Sequence, residues 1–360
     1  MTLAALRDWM AAERIDATYL TDPVSIAYLT GFRTHPMERL MALTLRPDRA
    51  ELVVPGIEVE SAEAVAEGVR VRGWKDGEDP YRLVTDGLGS TITRLAVEKD
   101  HLSLAAFERL GGRVTAETVV DAGGTIGKLR LRKTPRELEL LAEAARITDL
   151  VTDQVIGELE VGQSELEVST LLAQGIARAG AQQSFDSIVQ FGPNSAQPHL
   201  RPTDRRLGRG DLVLLDFGAA WRGYCADTTR MAVAGPPDPR QQEVHRVVLE
   251  AHDRAVAAVR AGVTAADVDE AARAVIREAG YGNAFIHRVG HGVGLDPHEA
   301  PSLDPGSPLV LEPGMVVTIE PGVYLPGWGG VRVEDDVVVE QSGGRSLTGA
   351  RRDLVVVAGG

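Results

Sequence analysis

The stretch Leu212–Arg230, LVLLDFGAAWRGYCADTTR, decides how the rest of the chain is read. It has the pattern of two strands joined by a tight turn. Leu212–Gly218 is apolar except for Asp216, and Tyr224–Val233 follows a residue pattern that carries Asp227. Trp221-Arg222-Gly223-Tyr224 supplies the turn, with glycine where φ > 0 is tolerated. With Arg222 and Gly223 as the loop, Trp221 pairs with Tyr224 and Asp216 lies opposite Thr229. Asp227, two residues from Thr229, then shares a face with Asp216 as its diagonal neighbour. Two carboxylates about 4 Å apart repel by roughly 4 kcal/mol at an effective dielectric of about 20. A shared proton, an arginine or metal cations must offset that repulsion.

Outward from the hairpin, the chain repeats itself. Gly162-Gln-Ser-Glu-Leu-Glu-Val168 recurs as Gly262-Val-Thr-Ala-Ala-Asp-Val268, each with a capping Ser or Thr and an acid three residues on. The helices that follow end as Ile176-Ala-Arg-Ala-Gly180 and Ile276-Arg-Glu-Ala-Gly280, with glycine as a left-handed stop. Phe185 matches Phe285, and Pro198-His199 nearly matches Pro297-His298. LLDFG (214–218) matches TIEPG (318–322), and GYCADTTRMAV (223–233) matches GVRVEDDVVV (330–339). Ordered matches at a nearly constant offset indicate duplication. Two such halves form similar units about a pseudo-twofold axis, and the pair Asp216/Asp227 then faces Glu320 and Glu334.

The chain has 360 residues, long enough for two domains, and its 44% apolar content is ample for cores. A net charge of −14 argues against nucleic acid or an anionic membrane as partner. One cysteine, Cys225, excludes an intrachain disulfide framework. The opening MTLAALRDWMAAERIDA carries charges throughout and reads as an amphipathic helix with no signal-peptide pattern, and no run has the length of a membrane span. A cytoplasmic location is expected. Residues 1–126 alternate helix and strand: strands at ATYL (17–20), a hairpin of MALTLRP (41–47) and AELVVPG (50–56), helices at 56–68 and 81–88, a strand at LAVEKD (95–100), a helix near 103–110 and a strand near 113–119. This is an α/β domain of mixed sheet. Asp121–Lys133, Gly-rich and then basic, reads as the joint, so the domains are expected at 1–126 and 127–360. Thr134-Pro135-Arg136-Glu137 then starts a long helix with a capping box and proline at the first helical position.

A lone Asp in a strand is ordinarily a surface or hairpin residue, and a Glu before Pro-Gly is ordinarily turn chemistry. Recurrence at equivalent places in two repeats is what sets Asp216, Asp227, Glu320 and Glu334 apart. Arg332, Glu334 and Asp336 share a strand face by alternation. Gly290-His291-Gly-Val-Gly-Leu-Asp-Pro-His298-Glu299 adds a Gly-rich loop with two imidazoles. Four carboxylates with a neutral imidazole make a hard, oxygen-rich donor set that balances two divalent cations. It suits Mn, Co, Fe or Zn, with the oxygen donors tilting toward Mn.

The series LLDFG…ADTTR…GHGVGLDPHE…IEPG…VRVEDD resembles the pita-bread metallopeptidases, the group of methionine aminopeptidase, aminopeptidase P and prolidase. The resemblance covers the whole second domain. It implies a pita-bread catalytic domain in which Asp216, Asp227, His291, Glu320 and Glu334 bind two metal ions. TDPVSIAYLTGF (21–32) is similar to the N-terminal domain of creatinase, prolidase and aminopeptidase P, which methionine aminopeptidase lacks. Arg332 and His287 resemble the pattern of the proline-specific branch, and the intact ligand set argues against creatinase. The implied activity is hydrolysis of Xaa-Pro bonds, as an aminopeptidase P or a prolidase, with Xaa-Pro peptides as substrates.

In that reading Glu320 shuttles a proton between the attacking water and the leaving proline nitrogen. The resemblance places His199 and His298 beside the substrate, where they steady the oxyanion, and His287 along the proline-side pocket. Arg332 either holds the substrate's free carboxylate or neutralises the site through Glu334 or Asp336. Relatives with the added N-terminal domain imply a homodimer. The competing readings are a non-catalytic binding protein on the same fold and a hydrolase of non-peptide amides. GxGxG at 290–294 does not continue as a dinucleotide fingerprint. Cys225 reads as a small buried filler, His101, His245 and His252 as solvated or locally satisfied, and His35 as a loop residue.

Overall fold

The computed structural model describes residues 2–357, and it divides into two compact units between Arg130 and Leu131. In the first unit a mixed six-stranded sheet runs in the order Arg70–Trp74, Ala50–Pro55, Ala42–Leu45, Ala17–Leu20, Thr91–Val97, Thr115–Asp121. Alternation sends Leu20, Leu43, Leu45, Leu52 and Ala96 to one core and Tyr19, Ala42, Val53, Leu95 and Val97 to another. Helices Thr2–Ala12, Pro23–Thr30 and Gly123–Leu131 cover the first face, and Tyr81–Leu88 and Leu104–Gly111 the second.

Three sequence expectations shift here. The segment read as a joint is the helix Gly123–Leu131. Asp121 accepts hydrogen bonds from the Gly123 and Gly124 amides, which starts the helix despite its glycines, and Ile126 is buried in the first core. This is why the unit boundary falls four residues beyond 126/127. The strand expected at 95–100 instead spans Thr91–Val97, because Glu98 turns inward to accept the Thr21 and Asp22 amides at 3.2 Å each. The helix expected over 56–68 is a 3₁₀ turn, Gly56–Glu58, followed by Val59–Val65. The helix Pro23–Thr30 has its own sequence signal, Asp22 capping a proline-led turn.

The second unit shows its duplication in backbone detail. Pro135–Gly157 and Pro239–Ala258 each open with a capping box and proline in the first turn. Glu165–Arg178 and Ala265–Glu278 each open with the expected Ser164 or Thr264 capping box. Gly162 N donates to Leu207 O at 2.8 Å and Gly262 N to Leu311 O at 2.9 Å, so the entries to both helices are held alike. One sheet runs Val355–Val357, Thr228–Ala234, Leu212–Phe217, Ile188–Phe191. The other runs Glu299–Leu303, Gly290–Gly292, Val316–Ile319, Asp335–Val339, Gly344–Ser346.

In the first half Val213, Leu215, Phe217, Ala232 and Ala234 pack on that half's helices, and in the second Val317, Ile319, Val337 and Val339 pack on theirs. The period of two then directs Asp216, Asp227, Glu320 and Glu334 to the faces turned away from the helices.

Candidate metal centre

The hairpin has the register its turn dictates. Arg222 (φ 48°) and Gly223 (φ 81°) both take positive φ, as a type I′ turn requires. Trp221 pairs with Tyr224, and Asp216 with Thr229. In the second half Val316–Ile319 pairs with Asp335–Val339, which brings Glu320 and Glu334 to the ends of adjoining strands. His291 enters on Gly290–Gly292, between Glu299–Leu303 and Val316–Ile319. A Cβ on Gly290 would overlap the Thr318 carbonyl oxygen, and one on Gly292 the Ala300 carbonyl oxygen. The glycines of the GxGxG run thus let two strands close around His291.

The five residues expected to bind metal converge. Donor atoms of Asp227, His291 and His298, of His291, Glu320 and Glu334, and of Asp216, Asp227 and Glu334 form three groups, each within 4.8 Å. The groups share members, so they adjoin. His291 Nε2 lies 3.3 Å from Glu320 Oε1 and 3.8 Å from Asp227 Oδ2. Its Nδ1 is 3.1 Å from the Gly292 carbonyl, which accepts the Nδ1 proton and turns Nε2 toward the carboxylates. Thr229 Oγ1 donates to Glu334 Oε2 at 2.6 Å.

Burial and mutual repulsion raise the carboxyls of Asp227 and Glu334 well above their ordinary range; burial also raises Asp216, against the pull of Arg332. Glu320 is drawn down to about 2: its burial is outweighed by the hydrogen bond and charge of His291. Among the described residues, Asp216 Oδ1 and Asp336 Oδ1 are buried without a hydrogen-bond partner. A cluster of acids that cannot all stay ionised unaided, with an orphaned oxygen on one of them, fits a divalent cation of hard to borderline character.

His199, His287, His298 and Arg332 line the same cavity of about 670 Å³, with Phe185, Pro198 and Pro297. His298 stacks edge-on to His291, ring centroids 4.1 Å apart, and partial burial followed by the His291 charge pulls its pKa down to about 4.

Arg332 makes its carboxylate hydrogen bond to Asp216 rather than to Glu334 or Asp336, while the Glu334 charge also acts on it. It pairs with Asp216 through Nη2, donates from Nε to Thr229 Oγ1 at 2.9 Å and from Nη1 to Tyr324 Oη at 2.8 Å, and is 3% exposed. Tyr324 Oη lies 2.9 Å from His287 Nε2, while His287 Nδ1 faces the Arg288 carbonyl at 2.7 Å. His287 is therefore a neutral acceptor of the tyrosine proton, and burial depresses its pKa accordingly.

Sequence reasoning missed Tyr324 and the part played by Thr229. Their signals were register: Thr229 sits opposite Asp216, and Tyr324 is diagonal to Arg332 on the hairpin pairing Gly322 with Arg332. Asp336 Oδ2 accepts the Asp227 amide at 3.1 Å, so it supports a neighbour's backbone.

His245 and His252, expected to be solvated or locally satisfied, are both buried. His252 Nε2 reaches Asp335 Oδ2, 83 residues on, at 3.2 Å. His101 is half-exposed near Asp22, and His35 is an exposed loop residue. Burial pushes the Cys225 thiol up to about 12, in keeping with a filler.

Residues 139–341 match metallopeptidase family M24, and residues 3–132 match the creatinase/prolidase N-terminal domain. The chain belongs to metallopeptidase family M24. It is 37% identical to an Xaa-Pro dipeptidase of Lactobacillus helveticus, across 99% of both chains. Among solved structures it is similar to an Xaa-Pro dipeptidase from Bacillus anthracis (TM-score 0.92, 36% identity, 99% of both chains). It is also similar to an X-Pro aminopeptidase from Thermotoga maritima (TM-score 0.90, 32% identity, 99% of both chains).

Proposed function

We propose that the chain is a metal-dependent Xaa-Pro peptidase working as a prolidase, which splits Xaa-Pro dipeptides. The observation that carries this is the convergence of Asp216, Asp227, His291, Glu320 and Glu334 on one floor of the cavity that His199, His287 and His298 wall. The full-length likeness to named Xaa-Pro dipeptidases supports the substrate class. Those five side chains hold two divalent cations, with manganese the choice that the oxygen-rich set favours and Co or Zn the alternatives. Divalent cations held there lower the pKa of water toward neutrality and polarise a carbonyl.

The chain's own residues do the rest. Glu320, a carboxylate at neutral pH, takes the proton from the attacking water and delivers it to the proline nitrogen as the C–N bond breaks. His298, neutral at that pH, donates one N–H toward the carbonyl oxygen from one side of the cavity, and His199 steadies the amide from its own position on the wall. Phe185, Pro198 and Pro297 give the cavity an apolar surface suited to a pyrrolidine ring. Arg332, wholly engaged, holds Asp216 in place.

We place the enzyme in the cytoplasm as a homodimer. Among the described residues no helix is long and apolar enough to cross a membrane, and size-exclusion chromatography with light scattering checks the second statement. Product analysis on Gly-Pro and Gly-Pro-Pro, with and without manganese, tests the function. Free glycine and proline from Gly-Pro, dependent on metal, is expected. Glycine released from Gly-Pro-Pro alone would transfer the assignment to aminopeptidase P, which the Thermotoga likeness makes the second reading. Cleavage of neither would remove it.

A further inference from the structure

Resting on the prolidase reading, a second arginine takes up the part for which Arg332 is unavailable. A dipeptide ending in proline carries its carboxylate on the Cα next to the scissile nitrogen, within about one residue length, ~3.8 Å, of the reacting bond. An enzyme that selects dipeptides must meet that anion with a cation on the cavity wall. A longer peptide presents a neutral amide at the same place.

Two arginines line the cavity, Arg288 and Arg332. Every nitrogen of Arg332 is engaged by Asp216, Thr229 and Tyr324, and the side chain is buried. Arg288 is half-buried and differs in each respect. Its one side-chain bond runs from Nη1 to Ser302 Oγ at 2.9 Å, and among the described residues no carboxylate pairs with it, Asp304 of the same cavity included.

Ser302 fixes where that guanidinium sits. It is the direct cross-strand partner of His291, so its side chain stands on the face that turns His291 toward the carboxylates. The Ser302 hydroxyl thereby tethers Arg288 beside the candidate metal centre, with most of the five donors of its planar fork uncommitted. Such a fork matches a carboxylate in bidentate fashion. The Arg288 carbonyl also accepts from His287 Nδ1, which holds this backbone at the proline-side wall.

We propose that Arg288, oriented by Ser302, binds the free carboxylate of the substrate's C-terminal proline and so makes the enzyme select dipeptides. The test compares each Xaa-Pro dipeptide with its C-terminal amide, which keeps the scissile bond and removes the charge. The wild type is expected to favour the free acid. Arg288→Ala lowers kcat/KM for the acid about 10- to 100-fold, chiefly through KM, and changes the amide less than about threefold. Arg288→Lys recovers part of the preference, and Ser302→Ala weakens it. Inhibition by L-proline against pyrrolidine supplies a readout independent of turnover: proline loses affinity in Arg288→Ala, pyrrolidine keeps it.

An acid-to-amide ratio unchanged by Arg288→Ala overturns the proposal while leaving Xaa-Pro hydrolysis intact. A wild type that cleaves neither acid nor amide overturns the functional reading itself. A general loss on both substrates assigns Arg288 a structural role and also refutes the proposal.

Discussion

Arg230 is the place where the two halves are pinned together, and replacing it should be costly. The side chain is 1% exposed. Nη1 donates to the carbonyls of Thr229 at 2.9 Å and Glu334 at 2.6 Å; Nη2 donates to Asp335 Oδ1 at 2.6 Å and Ala350 O at 2.9 Å. It thus ties the strand that follows Asp227 to the backbone of Glu334. Arg230→Met keeps the bulk and removes every one of these bonds. Breaking a buried ion pair costs about 3–5 kcal/mol, and the low end applies because Arg352 Nε, 2.6 Å from Asp335 Oδ2, still faces the stranded carboxylate. The Glu334 and Ala350 carbonyls each lose a donor, adding about 1 kcal/mol apiece. The expected total is about 5 kcal/mol, a large part of the 5–15 kcal/mol typical of a domain. Hydrogen exchange within Thr228–Ala234 under increasing urea reads the second unit alone, and the midpoint should fall by more than about 1 M. Arg230→Lys retains the charge without the fan of donors and should fall between. Metal affinity should weaken in the same order, since Glu334 loses its anchor. A midpoint moved by less than about 0.3 M, or a metal affinity unchanged in Arg230→Met, would refute this account of the seam.

Two further outcomes can be checked directly. Chelation should abolish Xaa-Pro cleavage and lower the melting temperature of the second unit by about 5–10 °C, restored by manganese, because ligand held at a hundred times Kd contributes about 2.7 kcal/mol; an unchanged melting temperature would count against a metal at this cluster. His252 titrates above its ordinary 6.5, since although burial opposes its charge, Asp253 and Asp335 favour it more than Arg352 disfavours it. Its charged form therefore stabilises the fold below the unfolded value, and that contribution disappears as pH rises through the higher folded value. The melting-temperature gap between wild type and His252→Gln should be largest near pH 6 and shrink above 7; a gap that widens with pH contradicts it.

What the sequence disclosed was whatever local periodicity encodes. The turn at Arg222-Gly223 set the register, the register set the face of Asp216 and Asp227, and the duplication supplied Glu320 and Glu334. The repeat also includes the helix starts: Thr134-Pro135-Arg136-Glu137 recurs as Asp238-Pro239-Arg240-Gln241, and both sites form capping boxes. Side chains whose partners are remote gave no such signal. His252 looks like any polar residue of an amphipathic helix until Asp335 is found beside it. Arg332 was legible as a site residue, yet its partner was not, because strand alternation gives a face and not a contact across the seam. Arg288 carried no pattern at all; only the cross-strand position of Ser302 brings it to the cavity.

The duplication and the site are physically one feature. Either half alone directs its acids away from its own helices and leaves them repelling one another with nothing opposite. The facing half supplies the remedy in specific bonds. Thr229 of the first half donates its hydroxyl to Glu334 of the second and accepts from Arg332; Asp227 of the first half donates its amide to Asp336 of the second; Arg332 returns charge to Asp216. Three of these four crossing bonds join a carboxylate of the candidate centre, or its backbone, to the other copy. The donor set therefore exists only where the halves meet, and a change that loosens the seam without touching a carboxylate should weaken metal binding before it unfolds either half.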